Sequence, residues 1–148
     1  MYIPGHLALG YFAAILTGKE TGNRHRLIIV WFFSMLPDVD LLLPFMSHRG
    51  ATHSLATALA MTALTLYRRD LLTYAAAQAS HIIVGDLVTG GSPLMWPLTD
   101  DYLGFGFLPM PSLPEIAVEI LLFIAMLQSH RFKEDWTKEK ETIPVILR

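Results

Sequence analysis

Apolar positions gather into five runs, roughly 6 to 18, 26 to 37, 53 to 67, 70 to 85 and 115 to 130, separated by polar or Pro/Gly-rich stretches. Strand-like alternation is absent, so the pattern predicts an all-α chain of about five short helices. Each uncharged run is about 11 to 16 residues long, or roughly 16 to 24 Å of helix against a hydrocarbon core of about 30 Å. By length alone such runs are buried soluble helices or re-entrant segments. Two uncharged interludes, LLLPFMS (41 to 47) and YLGFGFLPMPSLP (102 to 114), would lie at a membrane interface and lengthen the apolar profile, the second with the aromatics that favour that depth.

Charge placement changes the picture. Threading the five helices up and down puts Lys19, Arg24, Arg26, Arg68, Arg69, Arg131, Lys133, Lys138, Lys140 and Arg148 on one side and Arg49 alone on the other. Asp and Glu divide six against seven, so the skew belongs to cations, as the positive-inside rule requires. The expectation is a multi-pass membrane bundle: one domain over 1–148, with motifs in 5–97, a C-terminal helix at 115–130 and a charged cytoplasmic tail at 131–148. The N-terminus MYIPGH lacks a basic n-region, so a cleavable signal peptide is not expected and His6 would be retained.

Composition agrees with a membrane setting and narrows the chemistry. Hydrophobic residues make up 53% and charged residues 16%, against roughly 25% charged in an ordinary soluble protein. A net charge of -2 gives no basic patch for nucleic acid, which is not expected as a partner; membrane lipids are. With no cysteine, disulfides and thiolate zinc sites are excluded, and any metal must be held by imidazole and carboxylate.

The same threading brings His6, Asp38, Asp40, His48, His53, His81 and Asp86 to the lightly charged end, where ionisable groups in apolar surroundings usually mark a site. In LPDVD, the two carboxylates follow the break imposed by Pro37. Read as an extended turn, they point to opposite sides, one toward a metal and the other toward a neighbouring imidazole; capping a helix end is the structural alternative. In HRGATHS, His48 and His53 flank a Gly-containing turn, with Thr52 placed as the N-cap of the next helix. Arg49, the single cation at that end, suits a substrate anion or transition-state charge; pairing with Asp38 or Asp40 is the alternative.

His81 lies late in an apolar helix, where a lone imidazole is more often a hydrogen-bonded core residue. Asp86 lies five residues on, about 140° round an ideal helix, so the two share a face only if the helix ends near Gly85 or carries a π-bulge. His25 and His130 fall at the basic end and read as solvated loop or helix-end residues. HExxH, GxSxG, Walker A and CxxC motifs are all absent.

Taken in order, GH, LPDVD, HRGATHS and SH followed by D, T, G and PLMWP resemble a family of inner-membrane proteins proposed to be metal-dependent hydrolases, one of which is known as a LexA-regulated inner-membrane protein. The resemblance covers roughly 5 to 97. It implies a multi-pass membrane protein with a proposed hydrolase activity of unestablished substrate, and His6, Asp38, Asp40, His48, His53 and His81 carry over by motif. Family members more usually space His and Asp four apart, so Asp86 departs from the pattern.

The function expected from residues and resemblance together is hydrolysis of a phosphoester or lipid-type ester. One or two divalent ions, zinc foremost, would be bound by a subset of the seven, with Asp38, Asp40 and Arg49 as the catalytic candidates and the site on the external side. Two rivals stand beside it: a non-enzymatic membrane protein whose His/Asp cluster is a structural or partner-binding network, and a metal-handling membrane protein.

Overall fold

The structure is a computed structural model; it describes residues 1–17, 24–46 and 48–142, with the backbone alone at 24, 25, 70 and 132–142. It is all-helical, and among the described residues the only β-type pairing is an isolated bridge between Ser92 and Leu103. Among the described residues six α-helices follow in order: α1 (Ile3–Leu16), α2 (Arg24–Met35), α3 (Leu55–Leu64), α4 (Leu72–Ser80), α5 (Leu87–Thr89) and α6 (Leu113–Thr142). A 3₁₀ turn, Leu36–Leu42, continues α2, and a π-helical segment, His81–Asp86, joins α4 to α5.

The ends of these elements follow local chemistry. α1 starts earlier than the hydrophobic run suggests because Pro4 stands in its first turn, where a missing N–H costs nothing. α3 starts later, at Leu55, because Ser54 is the N-cap and accepts from the Thr57 N–H at 3.3 Å. Thr52, expected in that role, instead lies in a 3₁₀ turn, Ala51–His53. α6 runs on to Thr142, through the stretch expected to be a tail, since 131–142 is rich in Lys and Glu, contains no Gly or Pro, and so favours helix.

Side-chain contacts fix the helix directions. Gly10 meets Ser34 and Ala77, Ala14 packs with Val30, Thr17 meets Thr73 at 3.0 Å, and His6 meets His81, so α1 runs antiparallel to both α2 and α4. Tyr11 bonds Ser129 at 3.3 Å while Gly5 bonds Glu119, so α6 runs parallel to α1. A Cβ on Gly10 would fall 2.4 Å from that of Ser34, an approach only glycine permits. Two small cores result: Ala8, Tyr11, Leu27 and Met126 between α1, α2 and α6, and Ala14, Val30 and Ala77 between α1, α2 and α4.

Of the five expected spans, only one helix among the described residues, α6 over Leu113–Arg131, is long and apolar enough to cross a membrane. Ile3–Leu16 and Leu55–Leu64 are apolar, but their 14 and 10 residues reach only about 21 and 15 Å.

Candidate metal centre

All seven expected side chains stand at one end of the bundle, where α1 begins, α2 gives way to its 3₁₀ turn and α4 becomes π-helical. Asp38 is the hub: its Oδ1 lies 3.6 Å from His53 Nε2 and 3.6 Å from His81 Nε2. The ring of His6 stacks on that of His81, centroids 3.6 Å apart and 6° from parallel. Potential ligand atoms fall into three groups, each within 4.8 Å: His6, Asp38 and His81; Asp38, Asp40, His48 and His53; and His53, His81 and Asp86.

Second partners decide which nitrogen each imidazole presents. A carboxylate or carbonyl oxygen can only accept, so His53 Nδ1–H donates to Asp86 Oδ2 at 2.8 Å and His81 Nδ1–H donates to the Ser34 carbonyl at 2.7 Å. In the neutral ring, the form a metal binds, Nε2 of each then carries a lone pair toward Asp38. His48 Nδ1–H donates to Asp40 Oδ1 at 3.1 Å in the same manner. This is the arrangement by which outer hydrogen bonds orient metal-binding imidazoles.

The polar bookkeeping bears on whether a cation fits. His6 Nδ1, His53 Nε2 and His81 Nε2 are buried without a hydrogen-bond partner. Buried polar nitrogens are almost always paired, and the two Nε2 orphans of His53 and His81, converging on Asp38 with the His6 ring stacked beside them, have the donor chemistry of a divalent cation site. Imidazole and carboxylate together suit zinc and other late first-row ions.

The two acids of LPDVD differ in environment. They lie on a 3₁₀ turn and not on an extended one, at about 120° per residue, so they splay without opposing each other and both approach His53 Nε2, at 3.6 and 3.4 Å. Asp40 is buried and accepts from His48, from the Arg49 N–H at 2.9 Å and from the Thr52 hydroxyl at 2.9 Å. Burial alone would raise its pKa, but the bonds from His48 and Thr52 and the charge of His53 outweigh that and hold it below the ordinary carboxylate value. Asp38 has no such donors, and burial pushes its pKa up against the pull of His53 and His48.

Arg49 pairs with neither Asp38 nor Asp40 through its guanidinium. Nε lies 3.7 Å from Asp86 Oδ1, and one terminal nitrogen donates to the Gly91 carbonyl at 3.1 Å. Its backbone takes a left-handed φ of 58°, uncommon outside glycine, which turns the N–H toward Asp40 while the side chain crosses to Asp86. Asp86 shares the site through the π segment, the condition under which residues five apart align. Both of its oxygens are engaged, one with His53 and one with Arg49.

Nothing in the residue pattern pointed to the Ser34 carbonyl, an anchor invisible to residue type. Thr52 and Ser54 were within reach, because in ATHSLAT the serine precedes the apolar run directly and frees the threonine for Asp40. His130 is half-buried, its ring edge-on to Tyr11 at 6.1 Å, rather than solvated; His25 falls outside the described side chains.

No curated protein and no solved structure matches the chain. A family model described as YdjM inner membrane protein matches residues 1–145, and the chain belongs to that inner-membrane family.

Proposed function

We propose that the protein is a membrane-bound, metal-dependent hydrolase acting on a phosphoester or lipid-type ester. The observation that carries this reading is the pair of buried, unpartnered imidazole nitrogens, Nε2 of His53 and of His81, that converge on Asp38, with His6 completing a ligand group with Asp38 and His81. A purely structural network would pair these atoms, because an unmet buried polar group costs about 1 to 3 kcal/mol. His6, Asp38 and His81 would hold one ion, and Asp38, Asp40, His48 and His53 a second, with Asp38 common to both.

When bound, a divalent cation supplies Lewis acidity, acidifying water toward neutrality and polarising an ester or phosphoryl oxygen. The chain supplies the rest. Asp86 and Ser34 fix the imidazole tautomers, Asp40 organises the HRGATHS loop, and Arg49, held beside Asp86, offers its fork to an anionic group. Asp38 would be held as a ligand through one carboxylate oxygen, and the oxygen left uncoordinated would accept a proton at the site.

Zinc is the expected ion. The cation skew of the sequence orients the basic end to the cytoplasm and the centre to the external side, with the shorter apolar helices embedded beside α6. Elemental analysis of detergent-purified protein tests the centre: wild type should retain divalent metal, and His53→Ala and His81→Ala should lose it. Equal, negligible metal in all three would leave a structural network as the better account. Turnover of generic phosphodiesters and lipid esters by loaded protein, lost in Asp38→Asn, separates hydrolysis from metal handling.

A further inference from the structure

The residues around the centre expose an apolar rim that packing within the chain does not explain. Phe105 is 66% exposed and Phe107 73%, and their rings stack at 5.3 Å. Across the same end of the bundle, Leu42 and Phe45 are each 79% exposed. Neither 41–47 nor 102–114 carries a charged residue.

This outward display is built rather than loose. The backbone of the aromatic segment is tied inward: Phe105 N–H donates to the Leu87 carbonyl at 2.6 Å, Leu108 N–H to the Val88 carbonyl at 3.0 Å, and Leu103 pairs with Ser92. Inward ties satisfy backbone groups that water would otherwise serve, the requirement for any irregular segment at membrane depth. The pairing depends on Gly91, at φ +82°, where a Cβ would stand 2.5 Å from the Leu103 oxygen. On its inner side the segment touches Arg49, whose carbonyl accepts from the Tyr102 hydroxyl at 3.2 Å.

Continuity identifies what lies outside. α6, the candidate span, begins at Leu113, six residues after Phe107, and its outer face exposes Ile120, Leu121 and Ile124. Trp and Tyr rings mark the headgroup level, and the exposed Trp96 and Tyr102 stand beside this uncharged, Phe-rich segment ahead of the span. We infer that 102–108, together with 41–45 on the opposite lip, is seated in the headgroup layer of the leaflet where α6 begins, so that the centre opens onto the lipid surface. The occupant is lipid; a second copy of the chain is the competing occupant. This rests on α6 as a span and is independent of hydrolysis, so the failure of one leaves the other standing.

The chain has no native cysteine, so single-cysteine nitroxide labels can be placed without background. In the full chain reconstituted into phosphatidylethanolamine/phosphatidylglycerol vesicles, Phe107→Cys and Phe45→Cys are compared with Asp101→Cys as the water reference and Leu121→Cys as the lipid reference. Power saturation should give accessibility to a water-soluble nickel chelate about tenfold lower at 107 and 45 than at 101, the chelate being excluded from apolar surroundings. Nickel access at 107 equal to that at 101 overturns the inference. Spin–spin broadening at 107 that vanishes on dilution with unlabelled protein also overturns it, in favour of a contact between copies. Metal content measured on the same samples reports separately on the centre.

Discussion

Asp86 Oδ2 stands 2.8 Å from His53 Nδ1, a buried hydrogen bond between side chains 33 residues apart, made possible by a π-helical turn that brings Asp86 round to the face of His81. The carboxylate fixes the tautomer that aims Nε2 at Asp38. Asp86→Asn is therefore expected to weaken zinc retention about 10- to 100-fold, the usual cost of losing a partner behind a metal-binding imidazole, without abolishing it. Competition with a graded chelator measures this, and an affinity equal to wild type would count against the triad.

Asp38→Asn should separate function from stability. Burial raises the pKa of Asp38, so its ionised form opposes folding at neutral pH, and that opposition is relieved as pH falls through the raised value. Metal-stripped Asp38→Asn should melt higher than stripped wild type near pH 7, yet retain no metal, as read by thermal unfolding and elemental analysis.

Asp40 titrates in the opposite sense. Its pKa is held below the ordinary value, so its bonds to His48, Arg49 and Thr52 stabilise the fold above the unfolded-state pKa and are lost as pH falls through the lowered one. Thermal unfolding of stripped protein across the acid range should show that loss in wild type and a flatter profile in Asp40→Asn. A steeper profile in the variant would sink the assignment.

For Arg49, replacement by Lys keeps the charge and removes the fork. On an anionic ester, kcat/KM should fall about 10²- to 10³-fold, as when one preorganised charge donor is lost, while metal content stays at the wild-type level. Loss of metal together with activity would make Arg49 a structural partner of Asp86 alone.

Gly10→Leu should disrupt the centre from a distance. Its side chain would meet Ser34, whose carbonyl holds His81 Nδ1. Overpacking there is expected to cost about 1 to 3 kcal/mol and to lower metal retention, as read by melting and elemental analysis.

Helix content and the identity of the clustered residues were legible in the chain because both are local or counting properties. Apolar period marks a helix, and charge-poor company makes a His or Asp conspicuous. Boundaries were less so, since Pro4, Ser54 and the Lys/Glu-rich stretch beyond Arg131 shifted three helix ends through capping and propensity rather than hydrophobicity. Span length was legible in all but one helix. Every uncharged run already fell below the thickness of a hydrocarbon core, and what the run length missed is that α6 extends beyond its expected ends, so that Leu113–Arg131 alone among the described helices is long enough to cross.

By itself, then, the sequence determined an all-helical chain carrying imidazole and carboxylate at one end, because composition, period and threading suffice for that. Only the tertiary structure decided that Asp38 sits between His53 and His81, that Asp40 organises a loop and that Arg49 turns to Asp86. Those assignments depend on distances of a few ångströms between residues far apart in the chain, set by the close packing of α1 on α2 and α4 and by one π turn. Residue type and spacing do not encode such contacts.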